Sequence, residues 1–119
     1  MADIEDKPQK PKEAAVLTEG SLGYLAKEIP DPIILGMYLN IPNTRLVDYT
    51  IDPSSQANVA DMSRKVLMFW KQMRETAKEK DKVADLDRAL RSSGKHDLAE
   101  TLLNKHQDGM ELTPDCFAL

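Results

Sequence analysis

The chain is short of cysteine, of basic excess and of long apolar runs, and each shortage removes a class of protein. One cysteine in 119 residues cannot close an internal disulfide or fill a structural zinc site, which excludes the small stapled secreted fold. A reducing, intracellular setting is the default for such a chain, and the expected location is cytoplasmic. No apolar stretch approaches the roughly 18 residues that a membrane-spanning helix needs. Residues 1–12 carry acids and no apolar core, so they do not read as a secretory signal. A net charge of −4 argues against general duplex DNA binding, which relies on a basic face. Catalytic motifs are missing as well: there is no glycine-rich phosphate loop, no His-Glu-x-x-His and no serine elbow. His96 and His106 make no metal set with the one cysteine, and both read as surface or hydrogen-bonded side chains. His96 with Glu100 reads as a solvated pair one helical turn apart. Neither an enzyme nor a cofactor is expected.

What remains is 41% hydrophobic and 30% charged, enough for one domain with a single core. Residues 1–15 are polar, with Lys7-Pro8-Gln9-Lys10-Pro11-Lys12 at their centre, and read as a flexible arm. Pro8-x-x-Pro11 has the spacing of an SH3 ligand, against the plainer reading of a linker. Beyond the arm, Pro30-Asp31-Pro32, Ile41-Pro42, Asp52-Pro53-Ser54-Ser55, residues 75–81 and Ser92-Ser93-Gly94 cut the chain into pieces.

Within the pieces the apolar period is helical. The first carries Leu22, Leu25, Ala26 and Ile29; the second Ile34, Met37, Tyr38 and Ile41; the third Leu46, Tyr49 and Thr50 or Ile51. The fourth is the longest stripe, with Val59, Met62, Val66, Phe69 or Trp70, and Met73, widened by Leu67 and Met68. Its methionines fit either a core or an adaptable groove, and at helical spacing beside Phe69 and Trp70 the core reading is preferred. Ser55 or Asn58 is placed to cap its start. The fifth begins at Asp81 as N-cap and runs through Val83, Leu86, Ala89 and Leu90 to Gly94; the sixth holds Leu98, Ala99, Leu102 and Leu103. Strand alternation and hairpin dipeptides are missing. The expected fold is an all-α, six-helix antiparallel bundle, with a domain over 16–106 and a flexible tail over 107–119.

The second half carries a specific pattern: Trp70 near the end of an amphipathic helix, then Leu86-x-x-Ala89-Leu90-x-x-x-Gly94-x-x-Asp97-Leu98-Ala99-Glu100. That spacing resembles the fourth, fifth and sixth helices of the death domain family. Leu22-x-x-Leu25-Ala26-x-Glu28-Ile29 is similar to a first helix, and Leu39-Asn40-Ile41-Pro42 to the family's Leu-Gly-Ile end of the second. Pro32-Ile33 stands where the family commonly has a tryptophan. The resemblance covers residues 17–106 and implies a death-fold bundle. Each residue type also has its own reason: Trp70 offers the largest apolar area to a core, with Leu86, Leu90 and Leu98 as further anchors. Gly94 suits a tight turn, and the carboxylate of Asp97 suits a helix start.

Charge is unevenly laid out. Residues 19–53 hold two basic and five acidic residues, net −3, whereas residues 61–80 hold six basic and three acidic, net +3. One reading is a mixed, solvated surface. The other is an acidic patch on the second and third helices (Asp31, Asp48, Asp52, with Arg45) that meets a basic patch on the fourth (Arg64, Lys65, Lys71, Arg74) in another molecule. Patches on different faces give head-to-tail contacts, which close into rings or extend as helices. The resemblance implies the same, with other death-domain proteins or a second copy as partner, in apoptotic or inflammatory signalling. A rival reading is a helical nucleic-acid reader using Arg88, Arg91 and Lys95. Asp85, Asp87, Asp97 and Glu100 share those helices and would repel phosphates. Finally, Cys116-Phe117-Ala118-Leu119 fits a prenylation box, which would tether the module to a membrane through Cys116. The same four residues fit a PDZ-type ligand, or simply a tail.

Overall fold

The computed structural model describes residues 15–51 and 58–117. Among the described residues are six α-helices and no strand: α1 (Glu19–Ala26), α2 (Pro32–Tyr38), α3 (Asn43–Ile51), α4 (Val59–Met73), α5 (Glu79–Ser92) and α6 (His96–Gln107). Short 3-10 turns stand at Ala15–Leu17 and Pro114–Phe117. The all-α bundle expected from the apolar period is the architecture found. The proline pair of the arm, Asp52 and the capping candidate Ser55 lie outside the described residues.

Side chains next to the helix ends explain where several of them begin. The Thr18 hydroxyl accepts from the Ser21 N–H at 3.2 Å and starts α1. Asn58 Oδ1 accepts from the N–H groups of Ala60 and Asp61 at 2.9 and 3.3 Å and starts α4. Pro32 opens α2, where its missing N–H costs nothing. The fifth helix corrects the sequence reading. It begins at Glu79, with Lys78 before it and no side-chain cap, so Asp81 sits inside the first turn. There it lies with Glu79 at the positive end of the helix dipole.

Helices α2, α5 and α6 all stop on one device. The chain takes a left-handed residue just past the end: Asn40 (φ 64°), Gly94 (φ 86°) and Gly109 (φ 68°). The next N–H then reaches back to a carbonyl five residues earlier: Ile41 to Gly36 at 3.0 Å, Lys95 to Leu90 at 2.7 Å, Met110 to Lys105 at 2.9 Å. Asparagine takes the first of these places because its short polar side chain tolerates that backbone region.

Helix α4 is the centre of the packing and touches α1, α2 and α3, while α6 lies on α5 and on the Ala15–Leu17 turn. Trp70, 1% exposed, is the largest fully buried side chain, joined by Leu22, Leu25, Leu35, Leu67, Leu86, Leu90 and Leu102. Leu98 differs from its expected role as an anchor: it is half-buried at the rim, and Ala99 and Leu102 fill that part of the core. The Ser63 hydroxyl donates to the Ile29 carbonyl at 3.0 Å and pins α4 to the corner between α1 and α2. Gly36 lets α2 approach α3, since a Cβ there would stand 2.6 Å from Leu46 Cδ2.

Two further readings are corrected. Of the expected core stripe of the second helix, Ile41 is buried just past the helix end, but Ile34, Met37 and Tyr38 face solvent at 46, 57 and 50% exposure, while Pro32, Leu35 and Gly36 face inward. A seven-residue helix that is apolar on every side carries no period to choose its buried face. Nor are residues 108–117 a free tail. After Gly109 the chain turns back and places Leu112 in the core with no exposure, while Cys116 and Phe117 pack against that core half-buried. Burying one leucine contributes about 1.5–3 kcal/mol, which helps hold this strap in place.

Candidate interaction surfaces

The charged residues assigned to docking that lie among the described residues have different surroundings. Asp31 precedes α2 and forms an ion pair with Lys95, between α5 and α6, at 3.3 Å. Its second oxygen is buried without a hydrogen-bond partner, so this carboxylate is part of the fold's own wiring. Helix α2 itself carries no charged residue, which corrects the expectation of an acidic second helix. Asp48 is exposed on α3, and Asp52 lies outside the described residues. Arg45, also on α3, turns toward α4 and holds its guanidinium 5.3 Å from the centre of the Phe69 ring.

The basic residues of α4, with Arg74 just past its end, divide among three neighbours. Arg74 closes on Asp85 of α5 at 2.8 Å, and Asp85 is shared with Arg88 at 3.3 Å. Lys65 is half-buried on the α3 side, close enough to Tyr49 to act on its phenol. Burial pushes the Tyr49 pKa up, Arg45 and Lys65 pull against it, and Asp48 adds to the rise. Arg64 is exposed on the α1 side, and Lys71 is half-buried on the same helix.

Around Arg64 the helices α1 and α4 form an open groove of about 400 Å³, lined also by Glu19, Gly20, Gly23, Tyr24 and Lys27. The Lys27 ammonium stands 5.6 Å from the centre of the Tyr24 ring. The groove thus combines two cations, one carboxylate and a phenol over a floor without side chains. It was missed in the sequence because its lining comes from helices some forty residues apart. The second surface is apolar: Ile34, Met37 and Tyr38 on α2, with Val47 and Ile51 on the neighbouring α3 at 55 and 64% exposure. The signal for it was present, since a helix reading Pro-Ile-Ile-Leu-Gly-Met-Tyr cannot bury every side.

The remaining candidates are weaker as sites. The three cations of the nucleic-acid reading are each paired: Arg88 with Asp85 at 3.3 Å, Arg91 with Asp87 at 2.9 Å and Lys95 with Asp31 at 3.3 Å. No group of histidine, cysteine and carboxylates suited to a metal occurs among the described residues. His106 Nδ1 lies 4.0 Å from Glu79, joining the end of α6 to the start of α5. The Cys116 thiol is half-buried and meets the Thr113 N–H at 3.4 Å and the Thr113 hydroxyl at 3.6 Å. Burial pushes its pKa up, but the two Thr113 contacts and Lys105 outweigh that and leave it below the usual thiol range. Ala118 and Leu119, which the lipidation and PDZ readings both require, lie outside the described residues.

No protein-family model matches the chain, and no match to a curated protein or to a solved structure was found.

Proposed function

We propose that this chain is a non-enzymatic interaction module of the death-domain kind, which assembles with other death-domain proteins or with copies of itself. The observation that carries the reading is the apolar surface of α2 and α3. Ile34, Met37, Tyr38, Val47 and Ile51 stay exposed on two adjacent helices, where a monomer gains nothing from presenting them to water. The groove at Arg64 and Lys27, between α1 and α4, offers a cationic surface to an acidic partner such as one carrying the exposed Asp48. Different surfaces on one module favour head-to-tail contacts over a closed two-fold pair. The family reading rests on the sequence pattern around Trp70, Gly94 and Asp97, which are here a core side chain, a left-handed turn and a residue in the first turn of α6. By that resemblance the setting is apoptotic or inflammatory signalling in the cytoplasm.

Light scattering and sedimentation against ionic strength test the proposal. Concentration-dependent assembly that weakens with salt is expected, because charge matching sets encounter and partner choice. A strict monomer at high protein concentration, with no death-domain partner bound, rejects it.

A further inference from the structure

The strap that follows α6 contains a feature that the interaction reading does not use. The chain has seven prolines, and Thr113-Pro114 is the place where a hydroxyl residue precedes one. Thr113 is exposed, residues 110–113 have no regular secondary structure, and the Pro114–Phe117 turn that follows is tied to Thr113 by one backbone bond, from the Cys116 N–H to the Thr113 carbonyl at 3.0 Å, which must open for the segment to extend. Kinase clefts take extended chain, and a cleft without a partner for the next backbone N–H selects proline, the residue that lacks one. Immediately before Thr113 stands Leu112, which plugs the core and donates its N–H to the buried Ser21 hydroxyl at 2.9 Å. The modifiable hydroxyl is therefore one residue from the point where the strap is fastened.

We propose that Thr113 is a phosphorylation site for a proline-directed protein kinase, and that the phosphate releases the strap from the core. In the transfer, Thr113 Oγ1 attacks the γ-phosphorus of ATP and forms the new P–O bond. The anhydride bond to the β-phosphate breaks, ADP leaves with the electron pair, and the hydroxyl proton passes to the kinase's base. The product carries about −1.5 to −2 charge where a neutral hydroxyl stood. Glu111 and Asp115 flank it, each two residues away and exposed. That separation of roughly 7 Å of chain is inside the Debye length of about 8 Å at physiological salt. Lys105 of α6 faces the strap at Cys116, one cation against two carboxylates and a phosphate. Modification also takes the proton from the hydroxyl that lies 3.6 Å from Cys116 Sγ, so Thr113 can no longer donate to that sulfur. Repulsion between the phosphate and Asp115 across the tight Pro114–Phe117 turn favours the extended, undocked strap, and undocking uncovers the apolar seat beside Ser21 and the Ala15–Leu17 turn.

The experiment treats the full chain with a proline-directed kinase and magnesium ATP, followed by intact mass, site mapping and amide exchange. A gain of one phosphoryl group on Thr113 is expected, absent in Thr113→Ala and Pro114→Ala and retained in Thr113→Ser. In the phosphorylated chain the Leu112 amide should exchange at least about tenfold faster, while amides in the middle of α4 keep their rates. Circular dichroism of the two negative variants confirms that they are folded. No incorporation, while the same kinase labels its standard peptide, overturns the site. So does incorporation that survives Thr113→Ala. Phosphorylation at Thr113 with an unchanged Leu112 exchange rate overturns the release.

Discussion

The backbone N–H of Leu112 donates to the Ser21 hydroxyl oxygen at 2.9 Å, joining points 91 residues apart in the chain. The same hydroxyl donates to the Ala15 carbonyl at 2.9 Å, so one buried oxygen connects the first turn, α1 and the C-terminal strap. Ser21→Ala should leave the Leu112 N–H buried without a partner and cost about 1–3 kcal/mol. Chemical denaturation measures the loss, and faster exchange at the Leu112 amide localises it. An unchanged midpoint would mean that the strap is held by Leu112 packing alone.

Trp70→Ala tests the centre of the bundle. Trp70 is 1% exposed and lies on the helix that touches α1, α2 and α3. The substitution should cost roughly 3–5 kcal/mol, a large part of a typical domain's margin of about 5–15. A melting temperature within a few degrees of the parent would contradict the packing described.

Two glycine substitutions should act in opposite directions. At Gly36 a new Cβ meets the buried Leu46 side chain at 2.6 Å and Val66 at 3.4 Å, so Gly36→Ala should destabilise by about 1–3 kcal/mol through overpacking. At Gly20 nothing stands within 4 Å of a new Cβ. Gly20→Ala should therefore stabilise by about 0.4–1 kcal/mol, mainly by restricting the unfolded chain. Thermal melts of the two variants give both signs directly.

Arg64→Glu separates docking from folding. Arg64 is exposed, so the melt should move by no more than about 0.5 kcal/mol. Reversing the charge in the α1/α4 groove should nevertheless weaken salt-sensitive assembly in light scattering. Unimpaired assembly would remove this groove from the interface.

Stability should also depend on pH through two groups with opposite signs. Cys116 is held below the usual thiol range in the fold, so its contribution grows as pH rises toward the thiol's ordinary value and is lost as pH falls through the lowered one. Tyr49 is raised, so its contribution is intact below the ordinary phenol range and is lost as pH rises through the raised value. Denaturation midpoints across the alkaline range should lose the first trend in Cys116→Ser and the second in Tyr49→Phe.

The sequence by itself determined the helical class, the order of the six helices and the inner faces of α1 and α5. Their apolar residues repeat at the helical period: Leu22, Leu25, Ala26 and Ile29, and Val83, Leu86, Ala89 and Leu90, are all buried as the pattern requires. Gly94, and Asn58 as one of two cap candidates, were legible for the same local reason, because a left-handed turn and a cap depend on nearby backbone. Only the tertiary structure decided the outward face of α2, where apolar residues on every side leave the choice to α4 and α5. It also decided that Asp31 belongs to Lys95 and Arg74 to Asp85, pairings that an overall count of charges cannot contain. The docking of Leu112 is the furthest from local reach. A lone leucine among polar residues has no period, and its burial depends on a seat built by residues at the opposite end of the chain.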